Sequence, residues 1–231
     1  MKRLLCLLPV VILLALTSGC GGLLRSSAAP EQSYYLNAPA LPAGASAGAA
    51  GAPASSLRIA RPLADPGLDT SHIMLLQSDH RMSFYSGARW PAPMPQMVGS
   101  LTVATLRASG HWASVEDAAS PFPSDYLLQI TVRRFDADYT DGQSVPQVHV
   151  VFDCNIGRRD GRDVVGTFVV AGSASASANR LGEVVGAFEQ ATDAALSALT
   201  EQSLIAIRAA DAARAAQKGA SPAASSSLQS Q

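Results

Sequence analysis

The chain has 231 residues, 48% hydrophobic and 15% charged, with 17 basic against 18 acidic side chains and a net charge of −1. That balance supplies no basic face for nucleic acid. About 150 residues of patterned sequence are enough to bury one core, so a single domain is expected.

Lys2 and Arg3 precede an apolar run from Leu4 to Leu16. As a helix this run is roughly 20 Å long, short of the ~30 Å hydrocarbon core of a bilayer. Residues 1–19 therefore read as a secretory signal peptide rather than a membrane span. Ser18-Gly19-Cys20 looks like the processing site of a bacterial lipoprotein, with Cys20 as the lipidated (palmitate-bearing) first residue of the mature chain. Thr17 stands where the usual pattern has Leu. Gly21 rather than Asp follows the cysteine, which favours the periplasmic face of the outer membrane. Removal of residues 1–19 takes away Lys2 and Arg3 and leaves 15 basic and 18 acidic residues, a charge near −3. Cys6 leaves with the signal and Cys20 carries lipid, so Cys154 has no partner for an intramolecular disulfide. Its place in an alternating apolar run suits a buried small hydrophobe.

Residues 20–33 form a tether of small and polar residues, and Tyr34-Tyr35-Leu36 suits a short strand. From Ala38 to Ser56 every residue except Leu41 is Ala, Gly, Pro or Ser. Such a segment buries too little apolar surface to offset its ordering entropy, and it reads as a flexible insertion. Leu57 to Arg61 alternates, Pro62 and Pro66-Gly67 turn the chain, and strands are expected at His72–Gln77 and Arg81–Tyr85. Pro91, Pro93 and Pro95 open a helix to Ser109. Its Met94, Met97, Val98, Leu101, Ala104 and Ala108 recur at helical spacing, and Gly110 ends it. Trp112–Glu116 suits a brief strand. Tyr126, Leu128, Ile130 and Val132 share one strand face, with Phe135 extending the run. Val148 to Ile156 alternates more strictly, with His149, Asp153 and Asn155 on the opposite face. Asp160-Gly161 makes a hairpin turn, from which Val164–Ser173 returns antiparallel. Asn179 is a candidate N-cap for a last helix carrying Leu181, Val184, Val185, Phe188, Thr192, Ala195 and Leu199 on one stripe. The domain runs over 34–207, and 208–231, poor in large side chains, reads as a disordered tail. Two amphipathic helices against one antiparallel or mixed sheet make an α+β domain.

Little in this pattern points to chemistry. Gly44-Ala45-Ser46-Ala47-Gly48 has the G-x-S-x-G spacing of serine hydrolases, but it lies in the low-complexity insertion and lacks the strand-to-helix elbow that strains the nucleophile. The run Asp136 to Gly142 has the outline of a calcium loop without its glycine at position six or its glutamate at position twelve. His72, His80, His111 and His149 have no metal-ligand spacing; His149 with Asp153 on one strand face is two candidates short of a site. Glu116-Asp117 suits a solvated loop edge better than an acid–base pair. No catalytic, cofactor or metal residue is assigned.

Several motifs carry a resemblance. They are Tyr34-Tyr35-Leu36 behind a lipoprotein signal, Gly67-Leu68-Asp69 before an apolar strand, and Tyr85-Ser86-Gly87-Ala88-Arg89-Trp90-Pro91 before the proline-opened helix. Leu106, Ser109-Gly110, Asp125-Tyr126, Val185 and Ala187-Phe188 follow in order. Together they resemble the ABC-type transport auxiliary lipoproteins, the PqiC-like subunits of membrane-integrity-associated transporters, over about residues 20–207; the Ala38–Ser56 insertion departs from the pattern. The resemblance implies a noncatalytic outer-membrane lipoprotein beside an inner-membrane transporter with a mammalian-cell-entry (MCE) protein, a system carrying lipids or other hydrophobic molecules. It implies docking of that MCE protein at the outer membrane, a role that self-association into a collar would suit. Arg89 and Trp90 suit two roles equally: an exposed partner-binding anchor, since both residue types are enriched at interface hot spots, or a structural one with Trp90 in the core and Arg89 paired locally. An envelope-assembly lipoprotein supporting an outer-membrane protein or lipopolysaccharide export shares the anchor and the sheet-plus-helix pattern. A periplasmic hydrolase would need convergent residues that the sequence does not display.

Overall fold

A computed structural model describes residues 31–38, 55–160 and 163–220. Cys20, the Gly44–Gly48 motif, Gly161 of the hairpin and residues 221–231 lie outside the described residues. The body begins at Gln32. In chain order its elements are β1 (Gln32–Ser33), β2 (Ser56–Ile59), β3 (Leu63–Ala64), β4 (His72–Leu76), β5 (Met82–Arg89), α1 (Met94–Ala108), β6 (Ser114–Glu116), β7 (Tyr126–Asp138), β8 (Gln147–Arg158), β9 (Val164–Ser175) and α2 (Leu181–Ala220).

The thirteen residues of β7 are the spine of a mixed sheet. On one edge β7 pairs antiparallel with β8 throughout, and β8 pairs antiparallel with β9. The opposite edge takes three short strands in succession, all parallel to β7: β2 at its start, β3 midway and β4 at its end. Pro62 has no N–H to give a ladder and separates β2 from β3. Gly67, at φ 88°, turns the chain between β3 and β4. β6 adds parallel to β2, β5 antiparallel to β4, and β1 parallel to β5. This is the expected α+β class, with more parallel pairing than the strand pattern alone suggests.

Strict alternation fails within β7, and the failure has a cause. In β7, Val132 pairs with Phe152 and Arg134 with Val151, which leaves Arg133 as an extra residue in a bulge. Leu128, Ile130 and Val132 face the core before it, Phe135 and Ala137 after it. Inserting one residue moves the inward set by one position, so Phe135 belongs to the same face as Val132. Arg133 points away from the core and bridges Asp65 (2.9 Å) and Asp153 (2.5 Å).

Both helices cover one face of the sheet. α1 begins behind Pro93, with the Met94 N–H donating to the Thr70 carbonyl (2.9 Å), and it ends at Ser109 before Gly110. Its buried side includes Met94, Met97, Val98, Leu101 and Leu106. α2 lies across β8 and β9 and buries Val184, Phe188, Ala195, Leu196 and Leu199. Its contact with β9 is backbone against backbone. A Cβ on Gly172 would fall 1.9 Å from the Ala191 carbonyl oxygen, so this position admits only glycine.

Two expectations about α2 need correction. It starts at Leu181, and Asn179 does not cap it: the Asn179 Oδ1 accepts the Tyr139 hydroxyl (2.8 Å), while the Val184 N–H donates to the Arg180 carbonyl (3.0 Å). The helix also continues through residues 208–220, past the expected end of the ordered domain at 207. Alanine, arginine and glutamine sustain a helix without large side chains. Asp211 fixes this extension, accepting the hydroxyls of Tyr126 (2.6 Å) and Ser55 (2.8 Å). At ~1.5 Å per residue the 40 residues of α2 span roughly 60 Å.

Candidate functional site

The segment singled out by sequence, Arg89-Trp90, lies where β5 leaves the sheet for α1. Gly87, at φ 69°, gives the end of β5 a conformation that other residues rarely adopt. Beyond it, the Trp90 N–H donates to the Ser71 carbonyl (2.7 Å). Trp90 is 1% exposed, set edge-on to Phe135 (6.0 Å between centroids) and to Phe188 (5.3 Å), which stack on each other at 5.1 Å. Of its two expected roles Trp90 takes the core one, joining the sheet at Phe135 to α2 at Phe188. Arg89 is half-buried, and its carbonyl accepts the Tyr34 N–H (2.9 Å), which ties the start of the body to β5. Nearby, Tyr85 and Tyr139 share a 2.9 Å hydroxyl contact. Burial and that neighbour push the Tyr85 hydroxyl well above the usual tyrosine range.

The other sequence candidates are held in structural contacts. Burial works to raise the Asp138 carboxyl, but hydrogen bonds from Thr140 and the Arg134 guanidinium outweigh it and hold it down at about 2. Arg134 also pairs with Asp136 at 2.7 Å, so a guanidinium occupies the place where a calcium loop would hold its ion. His149 and Asp153 stand on the same outward face of β8, and Asp153 is taken by Arg133. His72 contacts the Thr70 hydroxyl (2.9 Å) and the Phe84 ring. Among the described residues no three His, Cys, Asp or Glu side chains gather in a group able to hold a metal ion. Burial, aided by the charge of Asp153, pushes the Cys154 thiol up to about 12, leaving it protonated at neutral pH. Glu116 accepts the Ser120 hydroxyl (2.6 Å) and Asp117 the Ala119 N–H (2.8 Å), so both serve the loop that follows them.

Among the described residues, two of the open hollows lie beside β2. One, of about 660 Å³, runs between α1 and residues 59–62 and is floored by Ile59, Pro62 and Val103 with Arg61 and Arg107 at its rim. The second, of about 530 Å³, lies under the loop between β6 and β7 and is lined by Arg58, Phe122, Arg159 and Asp160. Sequence reading missed the second because its residues come from β2, a loop and the β8–β9 connection. The one available signal was an aromatic residue between prolines, Pro121-Phe122-Pro123.

No curated protein matches the chain by sequence. Among solved structures it is similar to protein XCC0632 from Xanthomonas campestris, of the family DUF330, at 26% identity and a TM-score of 0.65 over 79% of this chain and 97% of that one. A second solved structure, of an uncharacterised protein, is similar in fold at 16% identity and a TM-score of 0.55 over 75% of this chain and 98% of that one. The family profile that matches residues 34–202 describes an auxiliary component of transport and not an enzyme. By that match the chain belongs to the ABC-type transport auxiliary lipoprotein components.

Proposed function

We propose that this chain is an outer-membrane lipoprotein, acylated at Cys20, that docks the periplasmic MCE protein of an inner-membrane ABC transporter moving lipids or other hydrophobic molecules. The observation that carries the reading is the family match over residues 34–202 placed directly behind a leader ending in Ser18-Gly19-Cys20. Several copies forming a collar would suit the role.

The test is cross-linking in intact envelopes followed by purification of the lipoprotein and identification of what is joined to it, with fractionation of the same cells. The MCE protein should be recovered, and the chain should sediment with outer membranes. A processed chain found free in the periplasm, or cross-links confined to other outer-membrane assemblies, would overturn the reading.

A further inference from the structure

The edge of a sheet offers backbone N–H and C=O groups that another strand can pair, and natural edges are blunted by shortness, charge, proline or bulges. Elsewhere in this sheet that rule is kept. β1 has two residues, and β6 has three with Glu116 among them. β5 is longer, but β1 covers its end and Gly87, at φ 69°, interrupts its course. β9 is the exception. Its 12 residues pair with β8 alone and include no Lys, Arg, Asp, Glu or Pro.

The ladder fixes which backbone groups of β9 are free. The Ala176 N–H donates to the Pro146 carbonyl (3.1 Å), and these two continue the register that sets Ser175 against Gln147. In an antiparallel pair such bonded positions alternate with positions whose N–H and C=O point the other way. Phe168, Val170 and Gly172 therefore bond to β8, while Thr167, Val169, Ala171 and Ser173 turn their N–H and C=O to the open edge. The same four residues are exposed, Val169 at 63%, on the face of the sheet away from the helices. Among the described residues no backbone hydrogen bond reaches that edge from another segment. The inner face of β9 is closed by the α2 backbone against Gly172, so the edge is the part left open.

We infer that β9 pairs antiparallel with β9 of a second copy of this chain, joining two sheets edge to edge about a two-fold axis. The occupant follows from what the edge requires. It needs an extended strand of similar length with alternate N–H and C=O groups free, and β9 is itself such a strand. Identical strands paired antiparallel are closed by a two-fold axis, so each copy satisfies the other and no pairing edge of β9 is left over. Self-pairing would set any charge on the strand close to its own copy, which is repulsive, and β9 carries none. With Val170 of both copies at the axis, Val169 of one lies opposite Ala171 of the other, and Thr167 opposite Ser173. These positions supply roughly eight backbone hydrogen bonds between copies. The contact is independent of the docking function proposed above.

The test uses the full-length mature lipoprotein in detergent, with its mass read by sedimentation equilibrium in density-matched buffer and hydrogen exchange followed on the same samples. Wild type should dimerise as its concentration rises, and the amides of Thr167, Val169, Ala171 and Ser173 should slow with it. Ala171→Pro removes an edge N–H and no bond to β8, so it should melt near wild type and weaken self-association about tenfold or more. Val169→Lys sets two ammonium groups beside the axis and should weaken it likewise, which keeps the test decisive if the proline variant melts early. Wild type that stays monomeric would overturn the pairing. A dimer that both variants leave intact would overturn it as well. So would an assembly larger than a dimer that the variants break, since β9 would then pair with a different edge of the next copy.

Discussion

Gly172→Ala tests the packing of α2 on the sheet. The new Cβ would meet the Ala191 carbonyl oxygen at 1.9 Å, and the Ala191 carbon and Ala195 nitrogen at 2.9 Å. All three are helix backbone, so no side-chain rotation relieves the clash. Restoring an ordinary contact requires α2 to withdraw from β9 by about 1 Å, enough to loosen the interdigitated core beneath it. Phe188, on the same helix, would move with it and open its contacts with Trp90 and Phe135. The cost belongs at the upper end of overpacking, ~3 kcal/mol. For a domain of this size that lowers Tm by roughly 6–12 °C. Gly186→Ala is the control: nothing lies within 4 Å of its Cβ, and it sits inside α2. Alanine there should stabilise by about 0.5–1 kcal/mol through helix propensity. Thermal melts followed by circular dichroism measure both. A Gly172→Ala protein melting within about 2 °C of wild type would refute the backbone contact between α2 and β9.

Three further outcomes follow from single contacts. Tyr126→Phe removes the hydroxyl that Asp211 accepts, and hydrogen exchange across residues 208–214 should accelerate about tenfold, equivalent to ~1.4 kcal/mol of local stability. Asp138 is held at about 2, below its ordinary 3.8, so the stability it contributes, of order 2 kcal/mol, is present above pH ~4 and lost as the pH falls through 2. Asp138→Asn should therefore lower stability at neutral pH and flatten its decline between pH 4 and 2, read from denaturant melts at each pH. Cys154, fully buried with its thiol pushed up to about 12, should resist iodoacetamide in the native protein and react fully in denaturant.

Periodicity made the strands legible where both neighbours are long. Val148 to Ile156 alternates without interruption because β8 is flanked by β7 and β9 along its whole length. The same logic recovered α1, whose proline start and glycine stop bracket a helical stripe. It failed where local chemistry serves a distant contact. Tyr34 was expected inside a strand, but the pairing lies at Gln32–Ser33, and Tyr34 makes one further bond to Arg89 before the chain leaves the sheet. Asn179 has the right side chain for a cap and spends it on Tyr139, forty residues away in sequence. Trp90 illustrates the same limit from the other side. Composition marks it as suited either to a core or to an interface, and the choice is made by Phe135 and Phe188, which no spacing connects to it.

Arg58→Lys asks whether the loop under Phe122 owes its order to a fork or merely to a charge. The guanidinium reaches carbonyls of Asp117, Ser120 and Phe122 from two nitrogens, a span that a single ammonium does not reproduce. Lysine would keep the positive charge of the hollow and leave the inward neighbours Leu57 and Ile59 buried as before. The fold should therefore survive with a Tm close to wild type. Residues 117–124, freed of one or two carbonyl contacts at about 1 kcal/mol each, should exchange their amides roughly fivefold to thirtyfold faster. If exchange in 117–124 is unchanged, the prolines and the Asp125–Ser56 contacts order the loop unaided, and Arg58 contributes charge alone.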